Sequence, residues 1–301
     1  MTGSGSILES IQEITSKSNW IVWAFLIVLV IGGVLTNAIL SIGLAKRRIL
    51  PICLHLAIAD ICVLLFLAPY EILILADGTG IWNFPDNYCP VFLGAETLLG
   101  TVVVYLLVLQ NFSTLAVDRM SFKLMLMIVW LIALLLSIPQ FLYSSVIPLT
   151  AVYRVCYVPK YATMLVAIFR AFIPTSLLLV TLVFILLRYK ELTKTKYPSQ
   201  VKYSVVMSAV YLTISVNRPI FLLIFRLNLP KFWLDTYRIP PLAEIAESSS
   251  FTLTLCSLHY TLSALRPFFC WFLCTKVLPP KQDSLIEMST INSNTYYSYP
   301  I

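Results

Sequence analysis

Charged side chains are scarce in this sequence. Of its 301 residues, 21 are Lys or Arg and 14 are Asp or Glu, which together make 12% of the chain. Soluble globular proteins carry about 25% charged residues, so the composition excludes an ordinary soluble domain. The hydrophobic share is 59%, and it is concentrated in long uninterrupted runs. This pattern is typical of a protein that crosses a membrane several times.

Motifs for catalysis, metal binding and export are also missing. The seven cysteines form no Cys-x-x-Cys pair, so we expect no metal site. No nucleophile–base–orienter set is visible, and we expect neither an enzyme nor a cofactor. Residues 1–19 lack the basic start and short apolar core of a cleavable signal peptide. In a membrane protein, the net charge of +7 bears on orientation, because Lys and Arg are in excess on the cytoplasmic side. We expect no nucleic acid partner.

Seven apolar runs are each long enough for the roughly 20 residues that a helix needs to cross the hydrocarbon core. Because the runs are continuous rather than alternating, they predict helices. The predicted fold class is an all-α membrane protein, a seven-transmembrane helix bundle formed by residues 20–275. The runs lie near residues 20–45, 51–75, 90–119, 121–145, 161–188, 201–226 and 248–273.

The distribution of Lys and Arg predicts the orientation of the bundle. With the N-terminus outside, the inner segments hold twelve of these residues and the outer segments hold six. Cytoplasmic loops carry the excess of positive charge, so residues 1–19 are expected outside and the tail, residues 276–301, in the cytoplasm. The remaining three arginines fall inside predicted helices: Arg170, Arg218 and Arg266.

Each predicted helix carries a polar residue or proline of a familiar kind. In chain order these markers are Asn37, Asp60, Asp118-Arg119-Met120, Trp130 with Pro139, Pro174, Pro219 and Pro267. Their order resembles that of the rhodopsin-like G-protein-coupled receptors over residues 20–275. The segment around Trp82 and Phe84 is similar to a Trp-x-Phe loop common in peptide receptors.

The resemblance implies a multi-pass receptor of the plasma membrane with an extracellular ligand and a heterotrimeric G protein as partners. It also implies a disulfide between Cys89 and Cys156, on the side where disulfides persist. Asp118–Arg119 would hold the inactive state, although an interface charge pair that fixes helix depth is the alternative. The implied switch residues are Asp118, Arg119, Pro219 and Pro267.

The ligand class follows partly by elimination. The last predicted helix has no lysine for retinal, and Thr101 stands where amine receptors carry an aspartate. A peptide is therefore favoured, with a lipid or small metabolite as the alternative. Glu71 lies eleven residues after Asp60, so both should share one helix face, with Glu71 roughly 16 Å nearer the outside.

The candidate ligand contacts differ in how well the spacing supports them. Glu71 would pair with a cationic group of a peptide or, internally, with an arginine. Glu96 is a weaker candidate for a ligand contact, because no spacing shows which face of its helix it occupies. His259 could line the ligand pocket or be a hydrogen-bonded histidine of the core. The predicted contacts are Glu71, Thr101, Arg170, Arg218 and His259.

The sequence departs from the family pattern in several places. The seventh predicted helix has Arg266 where the family has asparagine, and Asn217-Arg218-Pro219 replaces an aromatic motif in the sixth. Only ten residues separate Arg119 from Trp130, which leaves almost nothing for the second inner loop. A non-signalling or shortened receptor is therefore one alternative. A seven-helix ion transporter or channel is another, since intramembrane charges suit an ion path.

The polar core expected inside the bundle consists of Asn37, Asp60, Asn217 and Arg266. We predict that Arg266 pairs with Asp60, because an unpaired charge at that depth is costly. The guanidinium would then replace the sodium ion that the family binds at this aspartate, and sodium should not affect the receptor. The Arg266→Asn variant should gain sodium sensitivity in a thermal-stability assay. Normal surface expression of that variant without any sodium effect would contradict the prediction.

Overall fold

The computed structural model describes residues 24–43, 51–70, 72, 82, 84–115, 122–148, 154–194, 198–215 and 258–270. Most of these residues are helical. Among them, five helices are long and apolar enough to cross a membrane, as judged by length and composition. The chain is therefore a mostly helical membrane protein.

The first four helices are built almost entirely from apolar residues. The second of them, α2, has three parts: an α-helix over Pro51–Cys62, a π-helical turn over Val63–Leu67 and a last helical turn that reaches Tyr70. Proline at the first helical position costs no hydrogen bond, which suits Pro51 to the start of this helix. The other three are α1 (Ala24–Gly43), α3 (Tyr88–Leu115) and α4 (Phe122–Tyr143).

The remaining helices include two further π-helical turns. In α5, Lys160–Val166 is followed by the π-helical turn Ala167–Phe172 and then by Ile173–Leu187. A short helical turn, Tyr189–Leu192, comes next. α6 runs over Pro198–Val210 and ends in the π-helical turn Tyr211–Ser215. α7 covers residues 258–270.

α3 is the central helix of the described structure. Of the residues in its apolar span, 67% are buried, against 22% in α1 and 28% in α4. It packs against α2, α4, α5 and α6. The apolar side chains that α4 and α5 leave exposed, such as Leu131 and Phe184, are the kind of surface that lipid covers at no cost.

A two-stranded hairpin follows α4 and is tied to the start of α3. Its strands, β1 (Ser145–Pro148) and β2 (Arg154–Tyr157), are antiparallel. Cys156 in β2 forms a disulfide with Cys89, as the resemblance implies. Cys89 lies in the first turn of α3.

Four aromatic rings pack beside this disulfide, and we name them the aromatic cap: Tyr70, Trp82, Phe84 and Phe92. The Tyr70 ring lies 3.7 Å from that of Phe92 and 5.1 Å from that of Trp82, between centroids. The backbone N–H of Trp82 also donates to the Arg154 carbonyl at 2.8 Å. The cap places the end of α2 level with the first turns of α3.

The described part of α3 runs to Leu115, and that of α4 begins at Phe122. The six residues between them, 116–121, lie outside the described residues, so the expected shortness of the second inner loop stays a prediction. The predicted switch residues Asp118 and Arg119 lie outside the described residues.

Gly33 lets α1 approach both α2 and α7, and this yields a test of the packing. A Cβ at Gly33 would lie 2.7 Å from Leu64 Cδ1 and 2.8 Å from Ala264 Cβ, whereas a Cβ at Gly32 would meet nothing within 4 Å. The Ala264 methyl cannot rotate away. Gly33→Ala should therefore cost about 1–3 kcal/mol of unfolding free energy.

The matched control for this substitution is Gly32→Ala, which adds the same methyl group one residue earlier. It should leave stability unchanged or raise it by roughly 0.5–1 kcal/mol, because alanine favours helix over glycine. Thermal unfolding of the two purified variants in detergent compares them directly. Equal midpoints would show that the close contact at Gly33 does not exist.

Candidate functional site

The most buried ion pair of the described structure joins α2 to α7. The Nη1 atom of Arg266 donates to Asp60 Oδ1 at 2.8 Å and to Oδ2 at 3.0 Å. The two side chains are only 4% and 0% exposed. The ion pair predicted from the sequence is thus present, since each charge compensates the other where neither water nor lipid can.

Asn37 joins α1 to this pair. Its Nδ2 atom donates to the carbonyl of Gly33 at 2.9 Å and to that of Ser263 at 3.2 Å. Three helices that are remote in sequence therefore meet at one buried polar cluster, as expected for Asn37, Asp60 and Arg266. Asn217, the fourth residue of the predicted core, lies outside the described residues.

A second buried ion pair links α3 to α5. Arg170 Nη1 donates to Glu96 Oε1 at 3.2 Å, and the two side chains are 8% and 2% exposed. Arg170 sits in the π-helical turn Ala167–Phe172, a feature that often marks functional positions in helices. A Cβ at Gly100 would collide with the guanidinium, so this glycine lets Arg170 lie against α3.

Of the other predicted ligand contacts, the structure describes Thr101 and His259. Thr101 is buried on α3, and its hydroxyl donates to the Thr97 carbonyl at 2.6 Å. His259 is half-buried in α7, with its ring edge against Tyr260. Pro267 follows Arg266 inside α7. Three further predicted positions lie outside the described residues: Glu71, Arg218 and Pro219.

The two ion pairs lie at different depths. Counted at 1.5 Å per residue from the aromatic cap, Glu96 is about 6 Å beyond Phe92, and Asp60 is about 15 Å beyond Tyr70. The Glu96–Arg170 pair is therefore the nearer one to the disulfide end. Any ligand that enters between the helices from that end meets it before Asp60.

A third polar region, not anticipated from the sequence, joins α3 to α5 and α6 at the far end. Asn111 Nδ2 donates to Thr181 Oγ1 at 3.0 Å, and Ser208 Oγ donates to Asn111 Oδ1 at 3.0 Å. We name this region the polar seam, and it consists of Asn111, Ser113, Thr114, Thr181, Gln200, Ser204 and Ser208. Its other bonds join Thr114 to Ser204 at 2.7 Å and Gln200 to Ser113 at 3.1 Å.

A sequence signal for the polar seam exists in retrospect. Ser204 and Ser208 are four residues apart and share one face of a helix. Asn111 and Thr114 are three residues apart on α3 and therefore also share one helix face. Uncharged polar residues on one stripe of an apolar helix indicate an interhelical contact, because such groups need partners in a membrane.

The two buried ion pairs of the described structure neutralise their own charges. Each buried carboxylate faces a guanidinium, and the polar seam carries no charge. Within the residues described here, no group of three His, Cys, Asp or Glu side chains could hold a metal ion. The arrangement can bind a ligand or hold alternative helix positions.

Comparison with known proteins adds no relative. No protein-family model matches this chain, and no curated protein sequence matches it. The receptor resemblance therefore depends on the residues and contacts given above.

The Asp60–Arg266 pair predicts strong energetic coupling between the two side chains. Asp60→Asn or Arg266→Gln alone leaves a buried charge uncompensated and should cost about 3–5 kcal/mol of unfolding free energy. The double variant should be more stable than either single variant, because it buries no charge. The free energy of unfolding is measured for the unaltered chain, both single variants and the double variant, in mixed micelles of a mild and a denaturing detergent.

An exposed ion pair of the same chain provides the control. Arg188 and Glu191 are 59% and 71% exposed, and neutralising either should change stability by less than about 1 kcal/mol. Additive effects of the Asp60 and Arg266 substitutions would contradict the buried pair.

Proposed function

We propose that this chain is a rhodopsin-like G-protein-coupled receptor of the plasma membrane. Its N-terminus lies outside, its C-terminus lies in the cytoplasm, and seven helices span the bilayer. An extracellular peptide binds between the helices from the disulfide end. The bound receptor then activates a heterotrimeric G protein.

The observation that carries this proposal is the disulfide between Cys89 and Cys156. It joins the first turn of the central helix to the hairpin that follows α4, which is the link implied by the receptor resemblance. Disulfides persist on the exoplasmic side of membranes, so this end faces outward in the proposal. The Trp82 and Phe84 rings of the resembled loop pack at the same end.

The packing of the shorter helices supports the seven-helix arrangement. Tyr260 at the start of α7 shares a core cluster with Ile72, whereas Cys270 at its described end shares one with Cys53. α7 therefore runs antiparallel to α2. The contacts of Gln200 with Ser113 and of Ser208 with Asn111 make α6 antiparallel to α3. Alternating directions are what successive membrane crossings require.

The proposed mechanism couples two ends of α3. A ligand that contacts Glu96 or Arg170 changes how α3 packs against α5 on the outer side. The polar seam holds α6 against α3 and α5 on the inner side, through Asn111, Thr114 and Ser204. A ligand that binds better to the conformation with an open seam shifts the population toward it and exposes the inner face.

A receptor that binds without signalling is the second candidate. It is favoured by the short separation of α3 and α4, where only residues 116–121 lie between the two described helices. The second inner loop is one of the surfaces that engage the G protein in the resembled family. A shortened loop would weaken coupling while leaving the outer site intact.

The polar seam allows a test of signalling without knowledge of the ligand. Asn111→Leu removes two interhelical hydrogen bonds and should raise ligand-independent nucleotide exchange on a G protein several-fold. Ser208→Ala, which removes one of them, should have a smaller effect in the same direction. The measurement is nucleotide exchange in membranes that contain the full chain and each class of G protein.

The control variant is Ser137→Ala on α4. The Ser137 hydroxyl donates within the same helix to the Leu134 carbonyl, so exchange should not change. Equal surface amounts are confirmed for every variant. Absence of exchange with all G-protein classes, in the unaltered chain and in both seam variants, would reject coupling and support the second candidate.

A further inference from the structure

The π-helical turn of α5 is followed closely by a proline. Only Ile173 separates the turn, Ala167–Phe172, from Pro174. Proline has no backbone N–H, and inside a regular α-helix its ring clashes with the carbonyl four residues earlier. The turn holds one extra residue, so that the Ile173 N–H donates to the Ile168 carbonyl, five residues back. The widened turn therefore accommodates the proline.

The same arrangement occurs in α2. There, only Ala68 separates the π-helical turn, Val63–Leu67, from Pro69. The Ala68 N–H likewise donates to the carbonyl five residues back, that of Val63. Two helices of different sequence thus combine a π-helical turn with a proline at the same spacing. We therefore attribute the turn in α5 to Pro174.

The carbonyl of Phe169 loses its helical donor in this arrangement. In an α-helix it would accept from the Ile173 N–H, but that group is directed to Ile168. In the π-helical turn it would accept from residue 174, which is a proline. Tyr105 on α3 supplies the missing donor, because its hydroxyl donates to the Phe169 carbonyl at 2.8 Å.

The bond between Tyr105 and Phe169 lies inside the apolar spans of both helices. These spans are Tyr88–Leu115 and Met164–Leu187. Lipid offers no hydrogen bonds at this depth, so a carbonyl that a proline leaves without a donor needs one from a neighbouring helix. Removal of the tyrosine hydroxyl would leave the carbonyl unsatisfied.

The carbonyl that Tyr105 holds belongs to the residue before Arg170. The Arg170 guanidinium lies against Gly100 of α3, where a Cβ would collide with it, and donates to Glu96 Oε1. Each residue advances a helix by about 100°, so one residue more or less in the turn rotates the outer half of α5 against the inner half by about that angle. The register of the turn therefore decides whether Arg170 faces α3.

Each half of α5 is fixed to a neighbouring helix. In the outer half, Gln140 Nε2 of α4 donates to the Ala162 carbonyl at 3.4 Å. In the inner half, Asn111 Nδ2 of α3 donates to Thr181 Oγ1 at 3.0 Å. The π-helical turn is the joint between two anchored segments, and Tyr105 contacts α5 at this joint.

We propose that Tyr105 is a positioning residue: its hydroxyl supplies the donor that Pro174 removes, holds the π-helical turn in register and so keeps Arg170 against α3. The inference rests on the proposed function only in that Arg170 is a ligand contact there. Tyr105 acts through the Phe169 carbonyl and not by contact with a ligand.

A double-mutant cycle tests the shared carbonyl. Tyr105→Phe removes only the hydroxyl and should lower the unfolding midpoint by a few degrees, since the Phe169 carbonyl is left without a donor. Pro174→Ala restores an N–H at that position, so Tyr105→Phe should lower the midpoint of the Pro174→Ala variant much less. The full-length purified protein in detergent is followed by the fluorescence of its six tryptophans.

The matched control is Pro69→Ala, which makes the same change after the other π-helical turn. Pro69 lies beside the aromatic cap, whereas Tyr105 is about 20 Å beyond Phe92 along α3. The effects of Tyr105→Phe and Pro69→Ala should therefore add. Additive effects of Tyr105→Phe and Pro174→Ala as well would overturn the proposal.

Hydrogen exchange, followed by mass spectrometry, reports on the turn itself. Tyr105→Phe should speed amide exchange several-fold in residues 167–173 and leave residues 178–187 of the inner half unchanged. Pro174→Ala in the same chain should restore slow exchange at the turn. A loss of stability without faster exchange at the turn would show that the hydroxyl serves packing elsewhere, and it would overturn the proposal.

Gly100→Ala reports on the position of Arg170. Its added methyl group collides with the guanidinium only while Arg170 lies against α3. Gly100→Ala should therefore be less destabilising in the Tyr105→Phe variant than in the unaltered chain. Equal effects in both backgrounds would show that Arg170 stays in place without the tyrosine hydroxyl, and they would overturn its positioning role.

These measurements need neither ligand nor G protein. Additive effects of Tyr105→Phe and Pro174→Ala would remove the positioning role and leave the proposed function standing. Absence of nucleotide exchange with every G-protein class would remove the proposed coupling and leave the role of Tyr105 in α5 standing.

Discussion

The contact between Arg266 and Asp60 constrains the rest of the structure. A guanidinium and a carboxylate buried among apolar helices cannot be compensated by water or lipid, so each requires the other. The two residues are 206 positions apart in sequence, and their contact fixes the rotation and depth of α2 against α7. α1 follows, because Asn37 reaches the Ser263 carbonyl beside the pair and Gly33 admits Leu64 and Ala264 at close range.

The polar groups of the described bundle are arranged in layers along α3. The disulfide and the aromatic cap occupy one end, the Glu96–Arg170 pair follows, and the polar seam lies at the other end. The layers differ in chemistry: the Glu96–Arg170 pair is charged and the polar seam is not. A charged contact responds to the charge of a ligand, whereas a row of neutral hydrogen bonds can break and reform at modest cost. The order of the layers is the one that a receptor requires if it senses a ligand on one side and responds on the other.

Some of these contacts could be predicted from the sequence, and the reasons are specific. Asp60 and Arg266 stand at comparable depths in two uninterrupted runs, so the pairing followed from the cost of isolated charges. The link from Cys89 to Cys156 was implied by the resemblance. The partner of Arg170 was not predicted, because the π-helical turn Ala167–Phe172 changes the helical phase on which spacing arguments depend.

The proposed function depends on which side of the membrane the disulfide end faces. If the hairpin is outside, the Glu96–Arg170 pair lies toward the extracellular side and the polar seam lies toward the cytoplasm. The direct measurement is to insert an epitope tag between β1 and β2, within residues 149–153, and to stain intact cells. Our account predicts that antibody labels the tag without permeabilisation. Labelling only after permeabilisation, with the protein present at the cell surface, would contradict it.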